Sequence, residues 1–133
     1  MNFRHQNLEV WQNAKELVKN IYSITENFPS KENFILIPQI CRAALSIPLN
    51  IAEGSGRWSQ KEFAQFVRIA IGSLLEVDTC LKIAMDLKYL KPKDYENIDQ
   101  LISSLYFKLI KLEKVLRQKP VKELLEHIEQ LER

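Results

Sequence analysis

Glycine and proline are scarce in this chain, 3 and 5 in 133 residues, together about 6% and roughly half of ordinary usage. So few turn formers exclude a many-stranded sheet protein, whose reversals draw on both residues. Cysteine falls to 2, Cys41 and Cys80, far apart and each inside a helical apolar pattern, which excludes a disulfide framework and predicts reduced core thiols. Histidine also falls to 2, His5 and His127 near opposite ends. No cysteine pair has metal spacing, and neither a phosphate-cradling glycine loop nor a nucleophile elbow occurs. Glu123 and His127, one turn apart, read as a solvated pair. No enzyme, no cofactor and no metal is therefore expected. No apolar run approaches the roughly 18 residues of a membrane span, and Met1 to Gln6 carries no apolar signal core, so a cytoplasmic protein without membrane contact is expected. An excess of one charge is lacking too: Lys+Arg 19 against Asp+Glu 17 gives 19 − 17 = +2.

What the chain does have is 46% hydrophobic residues, enough to bury a core. They recur with helical spacing. Leu8, Trp11, Ala14, Val18, Ile21, Thr25 and Phe28 predict a first helix capped by Asn7 and ended by Phe28-Pro29. Pro38 opens a second helix to about Glu53, stopped by Gly54-Ser55-Gly56. Ser59, with Glu62 three residues on, predicts a capping box before a third helix whose stripe is Phe63, Phe66, Ala70, Leu74, Val77, Leu81 and Ala84. In a fourth helix, Tyr95, Ile98, Ile102, Leu105, Leu109, Leu112 and Leu116 form a heptad seam. After Gln118-Lys119-Pro120, the residues Val121, Leu124, Leu125, Ile128 and Leu131 suggest a short fifth helix, near the length at which isolated helices fray. The expectation is an all-α, up-down-up-down four-helix bundle over residues 1–117, with an amphipathic helical tail over 118–133.

The second helix is apolar almost all round, through Ile40, Cys41, Ala43, Ala44, Leu45, Ile47, Leu49, Ile51 and Ala52, which is more than one buried face requires. Its polar residues Gln39, Arg42, Ser46, Asn50 and Glu53 form one stripe, and the internal Pro48 should kink the axis. The excess apolar breadth predicts association with further copies. If helices two and three fold back on each other, Arg42 falls opposite Gly72 and Gln39 opposite Glu76. Gly72 then reads as a close-approach point, and Glu76 as a carboxylate for Arg42.

The run Gln39-Ile40-Cys41-Arg42-Ala43-Ala44-Leu45-Ser46-Ile47-Pro48-Leu49-Asn50-Ile51-Ala52-Glu53-Gly54, followed by Gly56-Arg57, Phe63, Phe66, Ile69-Ala70 and Gly72-Ser73 with Glu76, closely resembles the 23S rRNA intervening-sequence proteins. Upstream, Leu8, Trp11, Phe28-Pro29, Glu32 and Leu36 fit as well, so the resemblance covers residues 3–117. It implies a small bacterial four-helix bundle that forms a ring-like homo-oligomer, most often a pentamer. Similar proteins act as accessory factors to reverse transcriptases, which implies RNA, DNA or a polymerase as partner. The chain departs from the family in carrying Ile37-Pro38 where a Ser or Thr cap is common.

Two basic clusters are candidates for nucleic acid, since Lys and Arg neutralise phosphates. One is Arg57, Trp58, Lys61 and Arg68, with Gln65 on the same face and an aromatic able to stack on a base. The other is a belt of Lys108, Lys111, Lys114 and Arg117, continued by Lys119 and Lys122. Residues 102–122 carry 6 − 1 = +5, while residues 123–133 carry 1 − 4 = −3. The foremost expectation is a non-enzymatic homo-oligomeric scaffold for RNA or protein partners; the alternative is a nucleic-acid-binding accessory factor.

Overall fold

The apolar stripes become four α-helices in the computed structural model, which describes the side chains of residues 1–118 and 128–133. After a 3-10 turn at Arg4–Asn7 come α1 (Glu9–Thr25), a second 3-10 turn (Ser30–Glu32), α2 (Leu36–Ser55), α3 (Gln60–Asp86) and α4 (Pro92–Glu132). No strand occurs among the described residues.

Local chemistry sets most of these boundaries. The Ser59 hydroxyl accepts the Glu62 N–H at 3.1 Å and starts α3, while the reciprocal bond from the Ser59 N–H to the Glu62 side chain, the other half of the expected capping box, is not formed. That helix ends where Lys88 turns left-handed, with φ 64°. There the Lys88 and Tyr89 N–H groups donate back to the Met85 and Ala84 carbonyls, each at 2.9 Å, which satisfies two orphan carbonyls. Pro92 occupies the first turn of α4, where its missing N–H costs nothing.

Asn7 is not the cap of α1. The Gln6 side chain accepts the Phe3 N–H at 2.6 Å and winds the preceding residues into the first 3-10 turn, so Asn7 is used there and Leu8 becomes the cap. Helix α2 starts at Leu36, two residues before Pro38, and continues through the buried Pro48 to Ser55. The assigned span of α4 takes in the segment expected as a separate fifth helix. The residues around that expected break, 119–127, lie outside the described side chains, as do Lys119, Lys122, Glu123 and His127.

Successive helices run antiparallel. Gln39 meets Glu76 and Ser46 meets Ser73 between α2 and α3; Asp78 meets Tyr95 and Arg68 meets Glu113 between α3 and α4. Lys108 of α4 reaches Glu9 at the start of α1, which closes the square. The α2–α3 pair is the most extensive packing in the bundle. Leu17, Ile21, Ile40, Ile47, Ile51, Val67, Leu74, Val77, Leu81, Leu105 and Leu109 are fully buried. Each such aliphatic side chain contributes on the order of 1.5–3 kcal/mol relative to exposure. The buried stripe of α1 is Val10, Ala14, Leu17, Ile21 and Thr25, with Trp11 and Val18 at its edge. It is thus rotated from the spacing that the large aromatic suggested.

Candidate assembly and nucleic-acid surfaces

The α2 polar stripe divides along its length according to which way each turn faces. Toward α3, the Gln39 amide donates to Glu76 Oε1 at 2.5 Å, and the Ser73 hydroxyl donates to Ser46 Oγ at 2.8 Å. The Asn50 amide donates to the Ser46 carbonyl and hydroxyl at 2.7 and 2.8 Å. These residues form a hydrogen-bonded ladder along the rim of the α2–α3 contact. Arg42 and Glu53 point outward. The expected facing of Gln39 and Glu76 is present, but the carboxylate belongs to Gln39, and Arg42 makes no ion pair among the described residues. Arg42 is exposed to solvent.

Gly72 is exposed, and a Cβ built on it meets nothing within 4 Å. No group of this chain approaches it, so of the two close approaches expected there, another helix or the Arg42 side chain, Arg42 is not the one. The tight glycine is Gly54: a Cβ there stands 2.7 Å from Phe66 Cβ and 3.3 Å from the Phe63 carbonyl oxygen. Around Gly72 the α2–α3 surface is apolar, with Leu49 64% and Ile69 51% exposed and Leu45 at the margin. Most of the apolar circumference of α2 is covered by its own bundle; the uncovered remainder is Leu45 and Leu49, continued by Ile69.

The first basic cluster splits in two. Arg57 donates to Glu53 at 2.6 Å, and its guanidinium lies 4.7 Å from the Phe66 ring centroid. Trp58 is fully exposed and lines a shallow cup with Phe3, Arg4, His5 and Arg57. Lys61, the second residue of α3, is exposed, and so is Gln65 one turn further. Arg68 instead turns to α4 and donates through Nε to Glu113 at 2.7 Å. Arg117 approaches the same carboxylate at 2.5 Å. Glu113 is buried and holds both arginines by charge-assisted bonds. Sequence reasoning missed this node, counting Glu113 as one negative charge within a basic belt. Its i,i+4 spacing to Arg117 was the available signal. Lys108 is also engaged, by Glu9 at 2.6 Å and Asn13 at 3.1 Å, while Lys111 and Lys114 are exposed.

Between α3 and α4, the Tyr95 hydroxyl donates to Asp78 at 2.6 Å and lies 3.3 Å from Asp99. Burial pushes the phenol's pKa up, and the Asp78 hydrogen bond and the two carboxylate charges push it further. Cys80 is buried and free, its thiol raised by burial and then by Glu76. Cys41 is half-buried and free, with Sγ 3.8 Å from the Thr25 hydroxyl. Among the described residues there is no His, Cys, Asp and Glu group able to hold a metal ion, and no helix long and apolar enough to cross a membrane.

Comparison with known proteins adds two findings. A family model described as 23S rRNA-intervening sequence protein matches residues 6–111, within the span of the resemblance read from the sequence. A crystal structure from Bacteroides thetaiotaomicron, of a protein with unknown function from the S23 ribosomal protein family, superposes with a TM-score of 0.71. It shares 25% identity, and the match covers 79% of this chain and 98% of that one. No curated protein matches.

Proposed function

The chain belongs to the 23S rRNA-intervening sequence protein family, and from that premise we propose that it is a non-enzymatic, homo-oligomeric helical scaffold for an RNA or protein partner. One observation carries the reading: Leu49 of α2 and Ile69 of α3 stand exposed, and Gly72, one turn beyond Ile69, has open space that would admit another helix. An apolar face with a glycine beside it allows two backbones to approach closely. The ladder of Gln39, Ser46, Asn50, Ser73 and Glu76 keeps α2 and α3 in register behind it.

If this face meets a different surface of the next copy, the contact is heterologous and closes into a ring when the rotation permits. A ring, most often of five, is the arrangement that the resemblance implies, in the cytoplasm of a bacterium. Arg42 and Glu53 flank the face and would set its orientation through charge. Sedimentation velocity of Leu49→Glu and Ile69→Glu tests the proposal. Each variant should keep its helical circular dichroism and sediment as a smaller species than the parent. Unchanged sedimentation of both would reject the face.

A second reading, an RNA- or DNA-binding accessory factor working with a polymerase such as a reverse transcriptase, is favoured by Trp58. A fully exposed indole beside Arg57 and Lys61 suits stacking on an unpaired base, with phosphate contacts alongside. Repetition around a ring would multiply this patch and the exposed Lys111 and Lys114. Arg68, Lys108 and Arg117 have partners within the chain, so they add less to such a belt than their number suggests. Titration with single-stranded RNA at low salt should lose most of its affinity in Trp58→Ala and weaken as salt rises. Binding that ignores both changes would exclude the patch.

A further inference from the structure

The heptad seam of α4 faces the core, but the same helix carries a second seam whose described side chains its own bundle leaves uncovered. From Phe107 and Ile110, alternate steps of four and three lead through positions 114, 117, 121 and 124 to Ile128 and Leu131. Positions 121 and 124 are Val and Leu, so six of these eight places are apolar. Where side chains are described, the seam is open: Phe107 is 69% and Leu131 73% exposed, and Ile110 and Ile128 are exposed as well. Over 24 residue steps of one continuous helix it extends about 36 Å. A sustained a/d repeat of this length is the pattern of a helix that pairs with another.

Charge along the seam identifies the partner. Residues 107–122 carry Lys108, Lys111, Lys114, Arg117, Lys119 and Lys122 against Glu113, 6 − 1 = +5. Residues 123–133 carry four glutamates against Arg133, 1 − 4 = −3. Two copies laid parallel would set basic half on basic half. Laid antiparallel with Phe107 opposite Leu131, positions 108, 111 and 114 of each copy fall opposite 130, 127 and 124 of the other, so these lysines meet the acidic segment, while Arg117, Lys119 and Lys122 of both copies share the centre. We propose that α4 pairs with α4 of a second copy in this antiparallel register, a twofold contact separate from the α2–α3 face. Lys114 and Arg117 occupy the seam near its centre; the exposed Lys114 stem covers apolar surface while its head reaches water, and the Arg117 head stays on Glu113. Such polar seam positions fix register and partner number at some cost in stability.

Charge reversal in the full chain tests the pairing, read as mass by sedimentation equilibrium. One variant carries Lys111→Glu and Lys114→Glu; a second carries Glu123→Lys, Glu126→Lys and Glu129→Lys. Each alone should show half the mass of the parent, and an equal mixture of the two should restore the full mass. Retention of the parent mass by both single variants would overturn the proposal, and so would a mixture that stays at half mass. Crosslinking fixes direction: Ile110→Cys should bridge to Ile128→Cys in a mixture. Bridging of Ile128→Cys to itself instead would mean parallel pairing and refute the antiparallel register. Leu49→Glu, which disrupts only the α2–α3 face, should leave the Ile110–Ile128 bridge intact, so failure of one contact is distinguishable from failure of the other.

Discussion

Replacing Gly72 with alanine should move two properties of the protein in opposite directions. In a single chain the position is an exposed helix interior with open space around it, so the added methyl strains nothing. Alanine is then favoured over glycine by about 1 kcal/mol, through the backbone freedom that glycine loses on folding. For a domain of this size that raises the melting temperature by about 4 °C. If α2–α3 meets a second copy with Gly72 at the point of closest approach, the same methyl overpacks the contact. Overpacking costs about 1–3 kcal/mol, which weakens each subunit contact roughly 5- to 150-fold. Urea unfolding at a dilution where both proteins are single chains reads the first effect, and sedimentation velocity across a concentration series reads the second. A variant that is more stable yet assembles like the parent would show that no helix packs over Gly72. A less stable single chain would refute the open space itself.

Four further outcomes follow from the same geometry. Gly54→Ala should destabilise by about 1–2 kcal/mol in denaturant titration, because the clash with the Phe66 Cβ and the Phe63 ring outweighs the gain in helix propensity. Lys88→Gly should stabilise by about 0.5–1 kcal/mol in the same assay, since the left-handed turn after α3 burdens a residue that has a Cβ. Glu113→Gln should cost about 1 kcal/mol, with both arginines about half exposed and able to find water, and should increase retention on a polyanion column by freeing them. The raised Tyr95 and Cys80 groups stabilise the fold in their protonated forms, so their contribution is complete below the unfolded-state values, about 8.5 for the thiol and 10 for the phenol. Stability should therefore fall as pH rises beyond them, and Tyr95→Phe should flatten the part above about pH 10 in a melting series.

Periodicity made the bundle legible, because an apolar stripe at three and four spacing has few other ways to be buried; the Ser59 cap and the core seam of α4 followed from local chemistry alone. The α1 stripe was misplaced because Trp11 outweighed Val10 and Leu17 by size, whereas the fully buried positions went to the smaller side chains that the tightly packed interior accepts. The Arg42–Glu76 pair failed for a related reason. Reflection about a turn predicts which turns of two helices face each other, but not which of two neighbouring polar residues lies on the shared flank. Gly54 and Gly72 look alike in sequence, and only the position of Phe66 separates a glycine required by packing from one that meets open space. The engagement of Arg68 and Arg117 by one carboxylate was equally hidden, since Arg68 and Glu113 are 45 residues apart and brought together by the bundle.

The decisive measurement is the molar mass of the unmodified protein by light scattering at micromolar concentration. The single chain is 15.6 kDa. A mass of several chains, reduced by Leu49→Glu, is the expected result. A stable 15.6 kDa species across that range would contradict assembly through the α2–α3 face.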